Sequence, residues 1–225
     1  MFNQLNFKTM KKVKISISMA MIAVAIMLFG GCDKDTGTPA LVSGKFSGRV
    51  TATIESPPSE LTAVAPWGNF DGLECDNSGC VLTGGRLGEN VDISNTGRFT
   101  VNLPASPPSS FDMIDIQDVL EEHFEISGKL NYSDPYVQVM EAVILTRTSQ
   151  YWVGEIVNAT QDRKTFCFYV YAEEDLTVTG SIVSIKFEEG WNRVYATVDG
   201  KGKLTKLTTK EVEGLKWYFE GFEED

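Results

Sequence analysis

Histidine is almost missing from this chain: His123 is the single one among 225 residues. A site built from several histidine ligands is thereby excluded, and any histidine-based catalytic triad has one candidate base. Basic residues are also scarce. Of the 20 Lys and Arg, Lys8, Lys11, Lys12 and Lys14 stand in the first 31 residues, where no acid occurs, so the remainder carries 16 basic against 31 acidic residues, a net −15. A body of that charge repels phosphate backbones, and no nucleic-acid partner is expected. Neither a Gly-x-Ser-x-Gly elbow nor a phosphate-loop motif occurs. Apolar runs long enough to span a bilayer are lacking as well, since the longest, Ile15 to Phe29, falls short of the roughly 20 residues required. What remains is ordinary globular composition, 42% hydrophobic and 23% charged, which argues against a disordered tail or a collagen-like fibre.

The short apolar run has a specific setting. Lys11-Lys12-Val13-Lys14 precedes it and Gly30-Gly31-Cys32 follows it, the basic, apolar and small-residue order of a secretory signal peptide. Met10, directly before Lys11, offers a more compact start than Met1. Leu28-Phe29-Gly30-Gly31-Cys32 resembles the lipobox of bacterial lipoproteins, which implies lipidation of Cys32, cleavage after Gly31 and a membrane partner reached through the acylated cysteine. Asp33-Lys34-Asp35 looks like the acidic tags of some surface-exposed Bacteroidetes lipoproteins. Residues 1–31 are accordingly expected to be a leader, 32–43 a Gly/Thr/Pro tether, and 44–222 the folded domain, with a cell-envelope, outer-membrane address.

From Gly44 onward the apolar period is two. Phe46, Val50, Ala52 and Ile54 alternate with Lys45, Arg49, Thr51 and Thr53, and Phe99, Val101 and Leu103 with Arg98, Thr100 and Asn102. Further strands are expected at 126–132, 137–147, 151–157, 165–172, 176–187, 191–198, 202–208 and 215–219, with a bulge near Gly180 where the apolar parity of 176–187 changes. The spacing predicts an all-β, antiparallel β-sandwich, either one domain or two small β subdomains divided near 104–110. One helix is expected over Phe111–Phe124, with Met113, Ile116, Val119, Leu120 and Phe124 on one arc and Asp115, Asp118, Glu121 and Glu122 on the other.

Residues 166–198 carry a second resemblance. Tyr169-Val170-Tyr171-Ala172-Glu173-Glu174-Asp175, then Thr177-Val178-Thr179-Gly180 and Gly190-Trp191-Asn192, is similar to a pattern in Bacteroidetes cell-envelope lipoproteins of no assigned activity. The likeness implies a secreted β domain and carries over no catalytic residue.

Candidate sites are few. Cys75 and Cys80 enclose Asp76-Asn77-Ser78-Gly79, a turn sequence that sets them opposite each other and permits a disulfide. Cys167 reads as a small buried hydrophobe, and His123 as part of the apolar helical arc. Trp67, in the apparent loop Ala65–Phe70, and Tyr169 and Tyr171, on one face of a strand, are candidate ligand-stacking residues, the tyrosines forming a platform if helix 111–124 leaves them uncovered. Glu121-Glu122, Glu173-Glu174, Glu188-Glu189 and Glu223-Glu224 read as solvated charge rather than glycosidase carboxylates. No acidic cluster has the spacing of a known calcium loop, so neither metal nor cofactor is expected. The expectation is a non-catalytic binding or adhesion module for a glycan or an envelope protein. A glycan hydrolase using paired carboxylates and a fimbria-like structural subunit stay open as alternatives.

Overall fold

The computed structural model describes residues 41–76, 79–124, 126 and 128–222, with the backbone alone for 75, 76, 79, 80, 122 and 123. The strands in chain order are β1 (Arg49–Thr53), β2 (Ala63–Gly68), β3 (Leu73–Asp76), β4 (Gly79–Leu82), β5 (Gly85–Arg86), β6 (Val91–Asp92), β7 (Arg98–Asn102) and β8 (Ile114–Asp115). After a short helix come β9 (Asn131–Tyr132), β10 (Gln138–Arg147), β11 (Trp152–Ala159), β12 (Thr165–Ala172), β13 (Leu176–Thr179), β14 (Val183–Phe187), β15 (Gly190–Val198), β16 (Leu204–Thr208) and β17 (Lys216–Gly221). Thirteen strands form one sheet along the path β5-β2-β10-β11-β12-β15-β16-β14-β13-β9, with β6, β8 and β17 attached to β2, β10 and β11. All its pairings are antiparallel except β14 with β16. The protein is all-β, as its period-two patterning requires.

Two cores lie on opposite faces of the shared strands. On one face β1 and β7 pair in the register Val50↔Val101 and Ala52↔Phe99, which turns the four apolar side chains inward. Thr51 and Thr100, one position out of phase, stay outside and join hydroxyls at 3.0 Å. This two-stranded layer packs on Val64, Met140, Ala142, Ile144, Ile156, Tyr169 and Trp191. On the other face Val170, Ala172, Val194 and Ala196 meet Val178, Val183, Ile185 and Phe187 of β13 and β14. Only β16 separates β15 from β14 along the sheet path, so the sheet must curl for side chains on one of its faces to meet. Alternation lets a single strand serve both: in β12, Tyr169 points to the first core and Val170 to the second. That strand is interior, with β10 and β11 on one side and β15 on the other. Each fully buried aliphatic or aromatic side chain contributes about 1.5–3 kcal/mol here.

Four local expectations change. The helix runs only over α1 (Ile116–Asp118), continued as a π-helical turn through Val119–His123. Ile114 and Asp115 pair with Val139 and Gln138 instead, and Phe111 and Met113 belong to the first core rather than the second, so one helical face cannot satisfy the whole segment. Residues 176–187 form a hairpin turning at 180–182, not a bulged strand, and each half keeps its own parity: Leu176↔Phe187 and Val178↔Ile185. Among the described residues of 126–132, the strand is confined to β9. The segment around Trp67 is strand β2, not a loop. Pro66 is tolerated there because the outer side of β2 passes from β5 at Trp67 to β6 at Val64, leaving Pro66 between the two pairings.

Candidate functional site

Cross-strand register assembles a polar row on the first-core face. Trp217 lies opposite Asn158, Asn158 opposite Cys167, Cys167 opposite Tyr195, and Tyr195 opposite Thr208, across five strands. Directly opposed residues share a face, so these side chains stand in line. Tyr169 opposite Arg193 extends the row toward the covering layer. Where β1 and β7 stop covering the face, a cleft of about 320 Å³ remains, floored by Asn158, Tyr169, Arg193, Tyr195 and Trp217, with Val50 and Thr51 on one side. The loop Glu211–Leu215 forms its lip. That volume is at the lower end of the range for small-molecule sites.

The lip is anchored from the start of the body. The Thr209 hydroxyl donates to the Val42 carbonyl at 2.7 Å and accepts from the Lys186 amide at 2.9 Å. Gly44 accepts the Arg193 amide at 2.8 Å, and a Cβ there would stand 2.7 Å from the Arg193 carbonyl oxygen, so only glycine allows this approach. The Arg193 guanidinium lies 5.1 Å from the Phe46 ring centroid, and Phe46 lies 5.0 Å from the Tyr169 ring.

Burial sets the protonation of the floor. It pushes the Cys167 thiol and the Tyr195 phenol each up to about 12, with the Arg193 charge opposing, and pushes Tyr169 beyond the usual phenol range. All three are neutral at pH 7, which leaves the tyrosines able to donate and accept hydrogen bonds. Asn158 is different. Its Oδ1 is buried and has no hydrogen-bond partner among the described residues.

A second polar feature lies close by on the opposite face. Strand β10 pairs with β12 through Ala142↔Tyr169, then with β11 from Ile144↔Ile156 onward, while β11 and β12 touch only at Asn158 and Ala159. The fork leaves a void of about 60 Å³, room for roughly two water molecules, and Glu141 and Glu155 line it. Each keeps part of its surface accessible to solvent. Burial first, and the Glu155 charge second, raise Glu141 to about 8. Burial first, and its cross-strand neighbour Glu220 second, raise Glu155 to about 7. Burial also raises Glu220, opposed by Arg163, whose guanidinium donates to it at 2.5 Å and lies 3.7 Å over the Tyr218 ring.

The sequence-derived candidates are dispersed. Trp67 is half-buried in β2: its indole N–H donates to the Thr83 carbonyl at 2.8 Å, and it meets Trp152 edge-on at 5.3 Å. It does not reach the cleft. Tyr169 does, although only 4% of it is exposed and most of its ring belongs to the core. Tyr171 packs edge-on against Trp191 at 5.4 Å. The two tyrosines make no open platform, because the β1–β7 layer and Phe46 cover their face while the helix covers the other. Cys75 and Cys80 are register partners in the β3–β4 hairpin; their side chains, that of His123, and Cys32 with the whole leader lie outside the described residues. Cys167 is buried, as expected. Among the described residues no group of His, Cys, Asp or Glu is arranged to hold a metal ion.

Asn158, Arg193, Tyr195, Glu211 and Trp217, and the fork acids Glu141 and Glu155, were not singled out by the sequence. The one available signal was polar residues interrupting strongly apolar strands, as in Glu155-Ile156-Val157-Asn158. Searches with protein-family models, curated proteins and solved structures found no match to this chain. No helix among the described residues is long and apolar enough to cross a membrane.

Proposed function

We propose that this chain is a lipid-anchored binding module of the cell envelope, held at the membrane through acylated Cys32 and taking its ligand in the cleft over Asn158. The observation that carries the reading is the cleft itself: a concave site lined by an amide, a guanidinium, two neutral phenols and an indole, the mixture that fixes a small polar ligand by hydrogen bonds and ring contact. The basic, apolar and small-residue leader ending at Cys32 supports the address. Several acyl chains on one cysteine hold a protein far more firmly than the marginal binding of one. Val42 lies ten positions after Cys32, a reach of at most about 36 Å when fully extended. Because Thr209 ties the cleft lip to Val42, the ligand site stands at the tethered end of the body.

A hydrolytic role is disfavoured by placement. Glu141 and Glu155, which burial makes weaker acids, line a void too small for a sugar ring, on the face away from the cleft. Mass spectrometry of protein from its native host tests the address: an acylated N-terminal Cys32 is expected, and a free thiol or retained leader overturns it. Ligand titration followed by Trp217 fluorescence, with Trp217→Phe as control, tests the site.

A further inference from the structure

From the chemistry of the cleft we infer that its ligand is a small zwitterion, a free amino acid or a dipeptide, held with its α-carboxylate on the Arg193 guanidinium and its ammonium group toward Glu211 and Glu213 at the lip. This deepens the binding role proposed above and rests on it.

Arg193 is the strongest pointer. Three arginines are half-buried among the described residues, Arg147, Arg163 and Arg193. Arg163 pairs with Glu220, and Arg147 donates to the carbonyls of Thr148 and Ser149. Arg193 pairs with no carboxylate among the described residues; its guanidinium meets the Phe46 ring, which offers no lone-pair acceptor, and it lines the floor of the cleft. A charge drawn partly out of water is normally met by an opposite one, and the planar guanidinium fork matches a carboxylate with two parallel hydrogen bonds. The neutral Tyr195 phenol, two positions along β15, is a further donor to such a group. The lip supplies the opposite sign. Glu211 and Glu213 line the same cleft, are exposed, and pair with no Lys or Arg among the described residues, so an ammonium group has two partners there. This order of charges selects the ligand. One cation beneath two anions gives a simple anion no net attraction, whereas a zwitterion satisfies both signs. A neutral sugar would leave the guanidinium without its counter-charge. Val212, Leu215 and Trp217 add apolar surface for a side chain. A volume of about 320 Å³ suits a dipeptide better than an extended chain.

The test uses the full chain in a sugar-free non-ionic detergent. Alanyl-alanine and alanyl-phenylalanine, each also as its C-terminal amide and its N-acetyl form, are titrated at low salt while saturation-transfer NMR and Trp fluorescence are recorded. A parallel arm uses glucose and galactose. At least one free dipeptide should bind saturably. Removing the ligand's charge as the amide, or the guanidinium as Arg193→Gln, should each weaken it by about tenfold or more, because a charge-assisted pair of hydrogen bonds is lost. Arg193→Lys, which keeps the charge but not the fork, should recover only part of that loss. Glu211→Gln should weaken the free dipeptide by about twofold to fivefold and should not weaken its N-acetyl form, which lacks the ammonium group. Equal dipeptide affinity in Arg193→Gln, in a protein that still melts cooperatively, or an amide that binds as well as the free acid, overturns the assignment of Arg193. A loss in Glu211→Gln that the N-acetyl form shares overturns the place given to the ammonium group. Sugar binding without dipeptide binding overturns the ligand class and leaves the binding role standing. Silence in both arms from a folded protein removes both.

Discussion

The two halves of β12 are continuous in sequence but sit in unlike surroundings. At its C-terminal end Val170 and Ala172 enter a core closed on every side by apolar groups from β10, β13, β14, β15 and the helix. At its N-terminal end Cys167 and Tyr169 border both the fork and the cleft, among Asn158, Arg193, Tyr195 and the fork acids. The closed half is built for stability, with each side chain's gain coming from area removed from water. The open half accepts unfavourable states: carboxyls held protonated by burial and an amide oxygen with no partner. Stability forgone locally is a common mark of a working site, where geometry matters more than the free energy of the empty protein.

Mutation should separate the halves, beginning with the closed core. Phe187 is 2% exposed at its centre, and Phe187→Ala should cost about 3–5 kcal/mol in urea unfolding while sugar or peptide titrations stay unchanged in the protein that remains folded. A loss below 1 kcal/mol would mean that this core is not the closed one.

At the open end Gly154 lets β17 approach β11, and a Cβ there would overlap the Glu220 carbonyl oxygen. Gly154→Ala should therefore cost about 1–3 kcal/mol. It should also disturb the fork more than the distant core, as read by faster amide exchange in β17 than in β14.

The fork acids predict a pH dependence with a definite sign. In the folded protein Glu141 holds its proton up to about 8, whereas its ordinary value is 4.5. Between these values folding takes up a proton, so stability contributed at this position is intact below about 4.5 and declines as the pH rises toward 8. Burial sets it first and the charge of Glu155 second; Glu155 in turn faces Glu220, which is paired with Arg163. Glu141→Gln should gain on the order of 1–3 kcal/mol over the native chain at pH 9 and nothing at pH 4. A pH-independent difference in urea midpoints would show that the carboxyl titrates normally.

Smallest is the contribution of Arg163, whose backbone has φ 55° and whose guanidinium lies between Tyr218 and Glu220. Arg163→Ala should cost about 0.5–1 kcal/mol, less at high salt, with the apparent pKa of Glu220 moving further up by NMR titration. A salt-insensitive loss would assign its value to ring packing rather than charge.

Much of this architecture was readable from residue order, for reasons that differ by element. The strands β1 and β7 follow from short-range alternation, which depends only on the pleat and on having one side buried, while β10, β11, β12 and β15 follow from apolar segments recurring at intervals near ten residues. Strand β2 was missed because Ala63-Val64-Ala65-Pro66-Trp67-Gly68 has no polar alternation and contains a proline; it is buried at nearly every position and so carries no period to detect. The helix was overextended because Met113 matches the helical period by coincidence while serving the opposite core. Tyr169 was found for its strand position, yet the platform expected of it depended on which layer covered which face. Glu141 and Glu155 stand 14 residues apart, and nothing local reveals that two neighbouring strands diverge between them.

Composition and periodicity alone determined the all-β class, the acidic body, the leader pattern ending at Cys32 and the apolar identity of most strands, because each depends on near neighbours or on sums over the chain. Only the tertiary structure decided that β12 would serve two cores, that five strands would align Trp217, Asn158, Cys167, Tyr195 and Thr208, and that Asn158 would end without a partner. Those outcomes follow from cross-strand register between segments up to 59 residues apart in the chain, Asn158 to Trp217, and register is settled by the packing of whole faces rather than by any single strand.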